Sequence, residues 1–178
     1  MDYITAHRED LGGGINYQAV LSTTFSNEGA ELVAVAEVKT PLAIDGNSFD
    51  TYLLLLISAA RQQIEDYTNI SLISRTIIAT VKPGTPLPYL GKTFTVTNIT
   101  EIDGTVLTTT YDELTSGNNL LVTYTTVGND KSRFKLAVMQ QVAYMYENRG
   151  DETGSRSIVF PGLSPIVRES LKGVRRIW

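Results

Sequence analysis

Residues 134–149, FKLAVMQQVAYMYENR, and residues 163–176, LSPIVRESLKGVRR, decide how this chain is read. In the first stretch Phe134, Val138, Gln141 and Met145 recur along one side of a helix, and Leu136, Met139, Ala143 and Tyr146 along another. The spacing predicts a helix over about 131–148 with two apolar aspects, which needs cover on more than one side. In the second stretch Ser164 can act as N-cap and Pro165 fits the first helical position, where a missing N–H costs nothing. Gly173 is a natural stop. A short helix over about 165–172 is therefore predicted, followed by a basic and apolar tail, Val174 to Trp178.

Further upstream, Asp45-Gly46-Asn47 reads as a turn, and Asn47 or Ser48 can cap a central helix over about 48–67. Phe49, Leu53, Leu56, Ile57, Ala60, Ile64 and Tyr67 form one amphipathic face of it. Tyr52, Leu54, Leu55 and Ala59 lie on the other side. Either the chain's own domain wraps this helix or a neighbouring subunit covers the second side. A short helix from about Ala34 to Leu42 precedes it. Between the central and later helices the periodicity changes to alternation. Segments 76–81, 93–97, 99–102, 105–108 and 120–125 read as strands, with Asp103-Gly104 as a hairpin turn and Tyr111 as the start of a further short strand. Threonine alternating with apolar residues predicts a small antiparallel sheet over about 76–127, wet on one face and covered by helices on the other. The expected class is α+β: a helical bundle core with an inserted sheet. Residues 1–35, with Gly12-Gly13-Gly14, read as an extended arm, 36–163 as the main domain, and 164–178 as a C-terminal helix and tail.

Composition narrows the function classes. The chain has 178 residues, 42% of them hydrophobic, enough for one domain with its own core. It has no cysteine, so neither a disulfide framework nor a thiolate metal site is possible. No secretory leader is expected from its polar first ten residues, and the longest apolar run, Tyr52 to Ile57, is too short to span a bilayer. The net charge is −4, with residues 1–60 at −6 and residues 168–178 at +3. A tight DNA binder would be strongly basic. The asymmetry suits ordinary solvation or two ends that meet different partners.

Catalytic signals are thin. His7 is the only histidine and falls in the arm. No nucleophile elbow, phosphate-binding loop or calcium-loop spacing occurs. The adjacent acids Glu65-Asp66 and Asp151-Glu152 read as solvated surface, and the Asn69-Ile-Ser and Asn98-Ile-Thr triplets as chance matches to a glycosylation pattern. No catalytic residue, cofactor or metal site is expected. Arg175-Arg176-Ile177-Trp178 has the composition of an interface anchor.

Four segments in order carry a resemblance: EVKTPLAID at 37–45, LISAARQQIEDYT at 56–68, LISRT at 72–76 and YMYENR at 144–149. Together they resemble the head–tail connector, or adaptor, proteins of tailed phages, in particular the gp6-like adaptors of HK97-type phages. The resemblance covers about Val38 to Arg176 and leaves out the arm. It implies a structural protein of the virion neck, assembled in the host cytoplasm, forming a homo-oligomeric ring, usually of twelve, below the portal protein. Such a ring extends the DNA channel and offers a docking surface to a stopper or tail protein. DNA passes through without sequence-specific contacts, and no membrane is involved. It also implies a portal contact through Arg168, Lys172, Arg175, Arg176, Ile177 and Trp178. The second apolar aspects of the helices, Tyr52, Leu55 and Ala59 with Met139, Ala143 and Tyr146, are the expected subunit interface. Another neck or tail-completion protein is the alternative, and an enzyme or small-molecule binder built on the sheet a more distant one.

Overall fold

The computed structural model describes residues 20–114, 117–148 and 162–174. Its helices are α1 (Val35–Leu42), α2 (Asp50–Thr68), α3 (Ser132–Glu147) and α4 (Pro165–Leu171). Its strands are β1 (Val20–Ser26), β2 (Arg75–Val81), β3 (Thr93–Glu101) and β4 (Leu120–Val127). The α+β class and the three principal helices agree with the sequence reading.

Leu53, Leu56, Ile57, Ala60 and Ile64 bury the inner stripe of α2 against Phe134, Ala137, Val138, Val142 and Met145 of α3. Val38 from α1 and Val167 and Leu171 from α4 close this helical core. Each of these side chains larger than alanine contributes about 1.5–3 kcal/mol relative to exposure. Packing, not a polar cap, sets the start of α2. Phe49 occupies the N-cap and makes no side-chain cap bond, in place of Asn47 or Ser48. Its ring meets Tyr146 edge-on at 6.1 Å. The helix ends on Asn69 in the left-handed conformation, its N–H bonded to the Glu65 carbonyl at 2.7 Å. At α4 the expected cap is present: the Ser164 hydroxyl accepts from Val167 N–H at 3.3 Å.

The sheet is antiparallel with order β1-β2-β4-β3. Ile77, Ala79 and Val81 of β2 point to the same face as Leu120, Val122 and Tyr124 of β4, and all are buried. The helices do not cover this face. The loops that join the strands do: Leu87 and Leu90 from one, Leu107, Tyr111 and Leu114 from another. Tyr124 Oη donates to the Pro88 carbonyl and Tyr111 Oη to the Thr85 carbonyl, tying both loops down. Burial pushes the Tyr111 phenol up to about 12 and the Tyr124 phenol higher still. The described residues thus form two cores, one helical and one within the sheet.

Three local readings change. Segments 93–97 and 99–102 merge into one strand, β3, with a bulge between Val96 and Asn98. After the Asp103-Gly104 turn the returning segment makes only an isolated bridge, Thr100 to Val106, because it soon leaves to place Leu107 in the covering loop. Tyr111 begins a single turn of 3-10 helix, not a strand. The largest change concerns the arm. Val20–Ser26 pairs along β2 as an edge strand, and Leu32, Val33 and Val35 pack on the helical core. Segment 20–35 is therefore part of the fold, because its scattered apolar residues serve a sheet edge and a loop, neither of which shows helical periodicity. Residues 1–19 of the expected arm, with His7 and the three glycines, lie outside the described residues, as does the Asp151-Glu152 pair.

Candidate functional site

Sheet and helices meet through charge rather than through a shared apolar core. Glu65 of α2 is 2% exposed and Arg61, one turn before it, 1%. Arg61 Nη1 donates to Glu65 Oε2 at 2.7 Å, and Arg75 at the start of β2 approaches the same oxygen at 3.2 Å. Glu65 Oε1 accepts from Leu72 N–H at 2.7 Å. Glu31 pairs with Arg61 at 2.9 Å, and Glu28 bridges Arg61 and Arg75, 3.6 Å from each. The Arg75 guanidinium also stacks over the Phe25 ring of β1, 3.9 Å from its centroid. Glu65 is therefore not the solvated surface acid expected from the adjacent pair. Burial pushes its carboxyl up, opposed by the Arg75 charge and the Leu72 N–H. Both carboxyl oxygens already accept hydrogen bonds or face a guanidinium, so the geometry suits the carboxylate. The periodicity held this signal: Ile57, Arg61, Glu65 and Thr68 fall on one buried stripe.

The cluster clamps the chain where close backbone contacts already fix it. Asn129 N–H donates to the Ser71 carbonyl at 3.1 Å. A Cβ at Gly128 would lie 2.4 Å from the Leu72 carbonyl oxygen, so only glycine allows this approach.

Of the expected interface residues, Tyr52 and Tyr146 face each other at 6.4 Å between ring centroids, near the start of α2 and the end of α3. Ala59 and Met139 are half-buried against the helical core, and Ala143 is half-buried on α3. Leu55 is 66% exposed, and Leu54 beside it 51%. The second apolar aspect of α2 is therefore split: its edges finish the chain's own core and its crest, Leu54 and Leu55, faces outward. Leu136 of α3 and Ile166 of α4 are exposed as well.

Of the expected portal residues, Arg168 and Lys172 are exposed on α4 and the turn after it. Lys172 pairs with Glu169 at 2.5 Å, which raises its ammonium pKa. Arg175, Arg176, Ile177 and Trp178 lie outside the described residues. Buried Gln141 positions α4: its Nε2 donates to the Gly162 carbonyl at 3.1 Å and to Gln63 Oε1 at 2.8 Å, and its Oε1 accepts from Ser164 N–H at 2.9 Å. A residue placed by sequence on an apolar line is thus the polar peg for the C-terminal helix.

The far end of the sheet carries exposed surface that the sequence reading did not single out. Ile102 and Val106, flanking the hairpin turn, are 64% and 63% exposed. Among the described residues no group of acids, histidine or cysteine could hold a metal ion, and no helix is long and apolar enough to cross a membrane.

No curated protein matches the sequence. Two solved structures share the fold: a chain in the virion of a native gene transfer agent particle and one in the neck of an empty gene transfer agent particle computed with C6 symmetry. Each aligns with a TM-score of 0.60 and 19% identity over 89% of this chain and 97% of the other. The model of the phage gp6-like head-tail connector proteins matches residues 33–169, which spans α1 to α3, strands β2 to β4 and most of α4. The chain belongs to that family, and its role is that of a structural head-tail connector.

Proposed function

We propose that this connector assembles as a homo-oligomeric ring below the portal, extends the DNA channel and presents a docking surface to a stopper or tail protein. It works by fitting surfaces together and carries out no catalysis. The observation that carries the reading is the outward crest of the helical unit. Leu54, Leu55, Leu136 and Ile166 remain exposed although the helices already enclose a complete core. Leu54 and Leu55 are adjacent on one rigid helix, and an apolar patch held on a rigid element is the usual raw material of a protein interface. One neck that shares the fold was computed with C6 symmetry, which a ring of copies satisfies. Twelve copies, the number usual in the family, remains part of the proposal.

The portal contact is assigned to α4 and the residues after it. Gln141 and the Ser164 cap fix α4 on the helical unit, so Arg168 and Lys172 are displayed from a firm base. A negative chain with this local basic display suits a protein that docks on protein and lets DNA slide past, because dense phosphate contacts would retard it. The test is co-sedimentation with the portal ring of the same genome. The cut must fall after Val174, because Leu171 is fully buried and its loss would damage the core. The full chain is expected to co-sediment; removal of residues 175–178, or R168E with K172E, is expected to abolish it. Failure of the full chain to bind would overturn the portal reading and point to a partner farther down the tail.

A further inference from the structure

The sheet ends in a feature that its own fold does not use. Ile102 and Val106 flank a tight turn in which Gly104 takes φ +93° and Thr105 N–H donates to Asp103 Oδ1 at 2.9 Å. That bond holds the Asp103 carboxyl below its usual range, so the turn carries a negative charge between two exposed aliphatic side chains. Residues 93–129 hold Glu101, Asp103, Asp112 and Glu113 and no lysine or arginine, so this stretch alone equals the net −4 of the whole chain. Lys82, next after Val81 at the same end of the sheet, leaves the charge there negative.

The complementary surface lies at the other end. The first turns of α3 display Lys131 and Arg133, both exposed, and Leu136, which is 55% exposed. Arg133 and Leu136 are three residues apart and share a helix face. Lys135 is turned aside to Glu37 at 2.5 Å. One chain cannot join its own two surfaces. β4 runs from Leu120, opposite Glu101 beside the hairpin, to Val127, close to the start of α3. The seven steps from Leu120 to Val127, at roughly 3.4 Å per residue, hold them about 24 Å apart.

We propose that the hairpin tip of one copy, Ile102 to Val106, seats on the start of α3 of the next copy, with Asp103 and the preceding Glu101 facing Lys131 and Arg133 and the tip's aliphatic pair facing Leu136. Different patches meet, so the contact is heterologous, the kind that closes into a ring when the rotation allows. The inference rests on the ring reading above and names the surfaces that make it.

The absence of native cysteine makes cross-linking a clean test. V106C/L136C, assembled on the portal and oxidised, is expected to give a ladder of covalent multimers. A mixture of V106C and L136C single variants is expected to give pairs only. Independently, D103K or R133D is expected to lower the recovered assembly about tenfold, and the two together to restore it. A ladder with charge-swap rescue supports the contact. Assembly on the portal with neither cross-links nor rescue overturns this contact and leaves the ring reading standing, with the tip turned to the lumen or the tail. No assembly of the unaltered chain overturns both.

Discussion

The helical unit and the sheet solve the same problem in opposite ways. The helices enclose large aliphatic side chains in a core of their own, yet leave Leu54, Leu55, Leu136 and Ile166 outside. The sheet encloses a smaller core beneath its own loops, and its other face mixes Thr76, Thr80, Thr123 and Thr125 with Ile78, Leu121 and Val127. Helices four turns long can present two apolar stripes at once. A strand can do so only by abandoning alternation, which would expose a flat apolar sheet to edge and face aggregation. The helices thus carry their exposed apolar side chains on rigid rods, whereas the sheet carries Leu21, Phe94, Leu121 and Val127 singly along its strands and Ile102 and Val106 at its tip. The ionic cluster around Glu65 joins the two.

The largest expected effect comes from breaking that joint. E65A removes the carboxylate that both buried guanidiniums face, and stripping one partner from a buried ionic group costs about 3–5 kcal/mol. Urea unfolding followed by helical far-UV signal and by pulsed hydrogen exchange of the β2 and β4 amides is expected to give one shared transition for the native chain. For E65A it is expected to give two, with the sheet separating from the helices. A single unshifted transition would mean that the close contacts at Gly128 and Asn129 join the units without the charges.

Two substitutions on α2 sharpen the contrast between its inner stripe and its crest. Ile57 is fully buried, and I57A is expected to cost about 2–5 kcal/mol in the same unfolding measurement. L55A is expected to change folding stability by less than about 0.5 kcal/mol while reducing assembly on the portal. If both variants assembled normally, the crest would not be an interface.

Smaller still is the cap of α4. S164A removes the acceptor for Val167 N–H, and the expected loss is about 1 kcal/mol. Hydrogen exchange is expected to rise in α4 and not in the sheet.

The smallest effect is a pH dependence at Glu37. Lys135 first, then the Ala34 N–H, hold this exposed carboxyl below its ordinary 4.5. A depressed acid stabilises the fold above its unfolded pKa, and that contribution is lost as pH falls through the lower folded value. E37Q is therefore expected to flatten slightly the decline in stability below about pH 4.5 and to leave neutral stability nearly unchanged.

Several parts of this architecture were legible in the residues. The stripe from Phe49 to Tyr67, the paired aspects of α3 and the Ser164-Pro165 start are patterns within one or two turns of chain, and local periodicity reports which side must be buried. The site was legible in outline. Periodicity found that α2 and α3 are apolar on a second side, but Ala59 and Met139 spend that side on the chain's own core while Leu54 and Leu55 do not. How much of an apolar aspect a neighbouring helix covers depends on crossing angle and side-chain reach, which no repeat in the sequence encodes.

Long-range placement settled the rest. Val20–Ser26 became a strand because β2 offers it an edge more than fifty residues later in the chain. Glu65 changed from a surface acid to the centre of a buried cluster because Arg75 turns back to it and because Glu28 and Glu31, far earlier in the chain, hold Arg61 and Arg75 in place. Gln141 left its apolar line because Gly162 and Ser164 arrive with backbone groups to satisfy. Each case turns on a partner distant in sequence. Residue pattern dictates which segments are helix, strand or turn, since their hydrogen bonds close within or beside the segment. Which polar group is buried, and which apolar face is left exposed, depends on the groups that the folded chain carries to it.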